Sequence, residues 1–317
     1  MYTRTKFVLI STFLLILLFI TIYFSIYEDH PVNDLVLKYR FYRVIEAVTA
    51  GFVLGFAGAY LQASLRNPLV DHYILGIGSG ALFTVYLAYL LFASVQLIVY
   101  SSVAIIGGLT ALAITVLIAE SIGGGATSYV LAGLGVNSLF SGLSVLLSYF
   151  ILTVNPYALY LLVGSFIVAT PSYIPIILVS LILVATGYFP LAKPLNALIL
   201  GDEYAYQLGY NPRIYRLATI LIAGISSSLI VSCFGLIGFL GLVAPHIARL
   251  LIKSSDNRYV LFLSGLLASI LLLITDDISR ILLVSVTGEV PAGAIVSVFG
   301  APFFLFLIVS RRRGGVR

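Results

Sequence analysis

Apolar runs long enough to cross a bilayer recur through almost the whole of this chain and leave it little else to fold with. The first, Phe7 to Tyr27, contains no charged residue. At about 1.5 Å per residue, a helix needs about 20 such residues to span the hydrocarbon layer. Comparable runs follow near Val44–Leu65, Ile74–Phe92, Leu97–Ala119, Tyr129–Leu152, Tyr173–Tyr188, Ile214–Ser232, Leu236–Ile252, Tyr259–Ile274 and Ala292–Val309. A shorter apolar piece, Leu159–Val168, follows the Asn155-Pro156 turn. The predicted fold class is all-α, a polytopic membrane protein with about ten transmembrane helices. Composition agrees: 61% of the 317 residues are hydrophobic and 9% are charged, far from the usage of soluble domains. Residues 1–317 read as one transmembrane domain, so any ATP-hydrolysing or ligand-capturing domain is expected on another chain.

Charge sets the expected orientation. Arg4 and Lys6 precede the first run, which is too long for a signal-peptide core and lacks a small-residue cleavage site, so it reads as a retained first span. Ten spans put both termini on one side. With that side cytoplasmic, only Lys38, Arg40, Arg43 and Arg280 of the 17 Lys and Arg residues fall outside, as the positive-inside rule requires. The expectation is a multi-pass protein of the cytoplasmic membrane with both termini cytoplasmic.

The longest polar interruption runs from Phe189 to Arg216, and a loop over about 190–213 is expected within it. It carries Lys193, Asp202, Glu203, Gln207, Arg213 and Arg216, punctuated by Pro190, Pro194 and Pro212. Its centre reads as a short helix. Asp202 is the candidate N-cap, Gly209 the stop, and Leu200, Ala205 and Leu208 share one face. Such a helix suits docking onto another protein; a solvated linker is the alternative.

Several function classes lose support. Cys233 is the lone cysteine, and His30, His72 and His246 are far apart, so no metal cluster, cofactor site or catalytic constellation is expected. No phosphate-binding glycine loop is present. A net charge of +5 is small for a nucleic-acid binder. No charged residue falls at mid-span, which disfavours an ion-coupled secondary transporter. Gly51, Gly55 and Gly58 lie at close-packing spacing. Asn137, Ser138, Ser141 and Ser144 add polarity to the fifth span. The external Arg40, Arg43 and Arg280 have three readings: snorkelling to lipid headgroups, pairing with Glu46, Asp276 or Asp277, or meeting carboxylates on an extracytoplasmic partner.

A series of strings, in order and spread over nearly the whole chain, carries a family likeness. They are Arg40-Phe41-Tyr42-Arg43; Gly58 to Gln62 followed by Arg66-Asn67-Pro68-Leu69; Leu75 to Ala81; Leu131-Ala132-Gly133; Leu200-Gly201 with Ala205 and Leu208-Gly209; Gly238 to Arg249; Glu289 to Gly293; and Gly300 to Phe304. The chain resembles the FecCD-type permease subunits of binding-protein-dependent ABC importers for iron–siderophore, haem and vitamin B12, the ten-span type II class.

The resemblance implies that Gly201, Asp202, Glu203, Ala205, Leu208 and Gly209 form a coupling helix seated on an ABC ATPase subunit dimer. It implies that Arg40, Arg43 and Arg280 meet an extracytoplasmic substrate-binding protein. It also implies a homodimer with a path along its two-fold axis, where Asn137, Ser138 and Ser141 are candidates; helix–helix hydrogen bonding is their alternative role. An iron–siderophore chelate is the expected cargo, with cobalamin, haem or molybdate as alternatives. Tyr42, Leu236 and Leu161 depart from the family pattern, standing where relatives often carry Pro, Pro and Trp.

Overall fold

The computed structural model describes residues 2–27, 33–92, 97–151, 164–281 and 289–314, and these contain no β-strand. Glu28, His30, the Asn155-Pro156 turn, Leu161 and Arg317 lie outside the described residues. The helices are α1 (Tyr2–Tyr27), α2 (Asp34–Ser64), α3 (Ile77–Leu91), α4 (Leu97–Ser121), α5 (Ala126–Ile151), α6 (Ile174–Leu200), α7 (Asp202–Gln207), α8 (Pro212–Phe234), α9 (Leu240–Ile252), α10 (Asn257–Ile281) and α11 (Ala292–Gly314). Among the described residues, seven helices are long and apolar enough to cross a membrane, and α3, α9 and part of α11 are shorter apolar helices. Together they correspond to the ten predicted spans, with α7 the only α-helix left over among the described residues.

The bundle is built around α2 and α10, the most enclosed of the long helices, while α1 lies at its edge with few buried residues. Small residues let α2 approach its neighbours closely. A Cβ on Gly51 would lie 2.7 Å from the Ala268 carbonyl oxygen, one on Gly55 2.4 Å from that of Ser264, and one on Gly58 2.3 Å from Gly241 Cα. Lipid offers no hydrophobic drive for helices to associate, so close contact and interhelical hydrogen bonds hold them. Ser269 Oγ donates to the Val48 carbonyl at 2.8 Å, and the Gln62 amide donates to that of Gly241 at 2.8 Å. Arg249 in turn donates to Gln62 Oε1, which fastens α9 to α2.

Three departures from the sequence-based boundaries bear on the site. α2 starts at Asp34 rather than Val44, because Asn33 Oδ1 accepts from the Leu35 amide and caps a helix that runs on past its apolar part. Lys38, Arg40 and Arg43 are therefore helical. α6 continues through Pro190 and Pro194 to Leu200, twelve residues past the predicted end at Tyr188, so the polar connection shrinks from about 190–213 to 201–211. Buried Leu191, Leu195 and Leu198 anchor this last stretch, and packing outweighs the amide donors lost at the two prolines.

α9 starts at Leu240 instead of Leu236. Residues 235–239 are irregular, with Gly235 at φ 79° and Phe239 at φ 65°. The Leu236 carbonyl accepts from the Gly164 amide at 2.7 Å, that of Phe234 accepts from Ser165 at 2.8 Å, and that of Gly164 accepts from Gly293 at 2.8 Å. Non-helical backbone at membrane depth must find its partners inside the protein, and here three chain breaks satisfy one another. A further break precedes α3, where a 3-10 turn (His72–Leu75) ends at left-handed Gly76.

The α9–α10 connection is tied to the end of α6. Asn196 Nδ2 donates to Asp256 at 2.7 Å, and Arg258 pairs with the same carboxylate at 2.6 Å. Burial alone would raise this carboxyl, but the hydrogen bonds from Arg258 and Asn196 outweigh it and hold Asp256 below its ordinary value. A depressed carboxylate stabilises the fold above its unfolded value and stops doing so as pH falls through its folded one. Arg258 is half exposed, which discounts the pair. Asp256→Asn is expected to cost about 1 kcal/mol at neutral pH, and the gap from the parent should close below about pH 4. Unfolding temperatures of the two proteins in detergent across that range check it.

Candidate functional site

The connection between α6 and α8 is a compact turn with its own short helix. Gly201, at φ 136° and ψ 158°, breaks the chain sharply away from α6. Six residues of α7 follow, and the chain then stops in a paired backbone motif. The Gly209 amide donates to the Tyr206 carbonyl at 2.9 Å and the Tyr210 amide to that of Ala205 at 2.9 Å, with Gly209 at φ 83°. That left-handed residue is the reason for a glycine at the stop.

Asp202 is not the N-cap. Gly201 occupies that position, and the Asp202 carboxylate turns inward, 2.7 Å from Arg216 and 3.6 Å from Arg66. Nor do Leu200, Ala205 and Leu208 share a face. Ala205 is fully buried, while Leu200, Tyr204, Tyr206 and Leu208 are exposed. Leu200 precedes the break at Gly201 and Leu208 is the C-cap, so neither follows the helical period. Glu203 is exposed and lines a shallow cleft with Arg66, Asp202, Tyr204 and Gln207.

Arg216 is a site residue that sequence reasoning passed over. It lies on α8 and is 2% exposed. Nε donates to the Ser64 carbonyl at 3.2 Å, Nη1 to that of Gly124 at 3.2 Å, and Nη2 to Asp202 Oδ1 at 2.7 Å. One turn earlier, Arg213 pairs with Glu120, which also accepts from the Tyr129 hydroxyl. The available signal was an arginine inside the run read as the seventh span, since a cation there needs built-in partners.

At the opposite end of the bundle, Arg43 lies in the interior at 1% exposure. Nε and Nη2 donate to the two oxygens of Asp276, both at 2.8 Å, and Nη1 donates to Glu289 at 2.8 Å. Arg280 is 10% exposed, donates to Ser25 Oγ at 2.8 Å and pairs with Asp277. Arg40 is half-buried and donates to the Ile26 carbonyl at 3.4 Å. Of the three cations expected on an outward basic surface, two are thus held within the chain, because α10 supplies carboxylates that meet them. Glu46, also considered as a partner, instead accepts from the Thr170 amide at 3.2 Å.

On α5 one face is uncovered, running through Leu131, Leu134, Leu139, Leu146 and Tyr149. Ser138 lies on that face, and Asn137 and Ser141 are half-buried at its edge. Ser144 is buried and donates to the Phe140 carbonyl at 2.7 Å, an intrahelical bond. A second, small hollow lies beside the irregular 235–236 backbone. It is lined by Tyr100, Ser101, Tyr173, Ser232 and Cys233.

Residues 7–310, nearly the whole chain, match the FecCD transport family. The chain belongs to the FecCD family. An iron chelatin transport system permease protein of Helicobacter pylori is 34% identical, over 90% of this chain and 85% of its own length. A hemin transport system permease protein of Yersinia pestis is 34% identical, over 87% of this chain and 83% of its own. A solved inward-facing conformation of a metal-chelate type ABC transporter superposes with a TM-score of 0.84 at 28% identity, covering 95% of this chain and 99% of that one. The fold is therefore the all-α permease fold of an ABC transporter, and this FecCD chain is a multi-pass membrane protein. Many of the strings that carried the likeness fall where helices break: Arg66 to Leu69 after α2, Leu75 to Gly78 before α3, Gly238 to Gly241 before α9, and Glu289 to Gly293 before α11.

Proposed function

We propose that this chain is the membrane-spanning subunit of an importer that carries an iron–siderophore-type chelate across the cytoplasmic membrane, with both termini cytoplasmic. The observation that carries the reading is α7. It is a short helix at one end of the bundle, with buried Ala205 inside and exposed Tyr204, Tyr206 and Leu208 outside. A dimer of separate ATPase subunits grips that exposed surface. ATP closes the motor, and the permease rocks between outward- and inward-open states. Gly201 and Gly209 set the direction of α7, and Glu203 borders the seat. A second copy of the chain covers the open face of α5, bringing Asn137, Ser138 and Ser141 towards a shared axis. A substrate-binding protein docks at the Arg43 end. Arg40 makes direct contact there, while Arg43 and Arg280 hold the shape of the docking surface.

The iron-chelate cargo is supported by what relatives are named for, an iron chelatin and hemin. Haem, cobalamin and molybdate are the other candidates, and the ligand that co-purifies with the binding protein decides among them. A carrier driven by an ion gradient is the competing reading. Uptake into liposomes that lack any ATPase, driven by protons or sodium alone, would establish it instead.

The coupling role has its own test. Ala205 is fully buried against the bundle, so Ala205→Trp should push α7 off its bed. In proteoliposomes holding permease, ATPase and binding protein, uptake should fall about tenfold or more while ATP hydrolysis continues. Undiminished uptake by the variant would remove α7 from the coupling role.

A further inference from the structure

We propose that Arg216 is the transmission residue that conveys movement of α7 to the α4–α5 turn and to the end of α2. The inference rests on the reading of α7 as the motor's seat. Three observations support it. First, the Arg216 side chain is buried, and its Nε, Nη1 and Nη2 each donate to a different element. The acceptors are the Ser64 carbonyl at the end of α2, the Gly124 carbonyl in the α4–α5 turn, and Asp202 on α7. A planar guanidinium holds three acceptors at fixed angles, which a lysine ammonium on a flexible stem does not.

Second, α7 has few other attachments to the bundle. Its outward side is exposed, and of its carboxylates Asp202 faces inward while Glu203 faces solvent. The Asp202–Arg216 pair is the charge-assisted contact that ties α7 to the interior; Arg66 lies farther from the same oxygen, at 3.6 Å, and is more than a third exposed. Surface pairs of that kind contribute little.

Third, the receiving turn is itself clamped to α8. Gly124 sits at φ 64°, its amide donates to the Ala119 carbonyl at 2.9 Å, and Glu120 joins Arg213 of α8 to Tyr129 of α5. Arg213 and Arg216 lie three residues apart on one face of α8. A displacement of α7 therefore reaches the α4–α5 turn through Arg216, and the Tyr129–Glu120 hydrogen bond ties that turn to α5, the helix with the uncovered face; Arg213, 62% exposed, adds little to this path. Arg216 touches no cargo and acts as a positioning residue.

The test uses the complete transporter in proteoliposomes and reads cargo moved per ATP hydrolysed. Arg216→Met keeps the apolar stem and removes the donors. It should lower that ratio about tenfold, with the ATPase still co-purifying. Arg216→Lys should fall between the two. Asp202→Ala cuts only the α7 arm and should also lower the ratio. Arg249→Met breaks the Gln62 bond without touching α7, and should lower the unfolding temperature while leaving the ratio within about twofold of the parent.

Spin labels at exposed Gln207 and Thr127 give an independent reading. Their separation should stay fixed on adding a non-hydrolysable ATP analogue to the parent and change in Arg216→Met. If the parent couples but Arg216→Met keeps its ratio and its fixed separation, Arg216 is a structural residue only and the proposal is overturned. If the parent shows no ATP-driven uptake, the reading of α7 fails and the proposal falls with it.

Discussion

Arg43→Met is expected to destabilise the protein by about 3–5 kcal/mol, the cost of leaving a buried carboxylate without its partner. Asp276 is 1% exposed and receives two hydrogen bonds of 2.8 Å from one guanidinium. The nearest other cation, Arg280, has its Nε 3.9 Å from Asp276 and pairs with Asp277 on the same helix, so it cannot replace both bonds. Glu289 is 32% exposed and rehydrates when Arg43 goes, so its share of the loss is small. The variant should therefore unfold at a markedly lower temperature in detergent and accumulate poorly in the membrane. Removing both partners at once should behave differently. Arg43→Met combined with Asp276→Leu leaves no orphan charge and should recover most of the loss. A double variant as unstable as the single one would mean that Arg43 acts through something other than Asp276.

Gly58→Leu is expected to be comparably damaging for a steric reason. The first atom of any side chain at this position meets Gly241 Cα and its carbonyl oxygen, both at 2.3 Å. These are main-chain atoms, which cannot rotate aside, so α2 and α9 must separate. Separation would stretch the Gln62 bond to Gly241 and the Arg249 bond to Gln62 together. Overpacking of a tight interior costs about 1–3 kcal/mol, and the coupled loss of two buried polar contacts adds to it. Gly58→Ala should show the same effect at smaller size. Unfolding temperature and the yield of monodisperse protein measure both. A Gly58→Leu protein as stable as the parent would show that the two backbones do not meet.

The number of spans was legible in the sequence because hydropathy is a local property, and each run declares itself without reference to its neighbours. Where the helices stop was less legible. α6 runs through two prolines because Leu191, Leu195 and Leu198 find partners on other helices, which no window of sequence contains. The start of α9 depends on backbone partners in 164–165, far away in the chain. The turn around α7 was readable from Gly201 and Gly209, since only certain residues adopt those conformations cheaply. Its faces were not, because six residues are too few to establish a period. The arginines were visible, but their partners were not: Arg43 meets Asp276 across 233 positions, and Arg216 meets Ser64 across 152. Reading the cations from span ends alone put Arg43 on a basic surface, whereas the fold buries its side chain against Asp276.

The breaks at 164–165, 234–236 and 293 are joined by main-chain amides and carbonyls. Such a joint is indifferent to the letters of the code. A lineage can exchange the side chains around the bend, one after another, and keep the bend itself. The hollow beside it, lined by Tyr100, Tyr173 and Ser232, can thus be reshaped without rebuilding the frame.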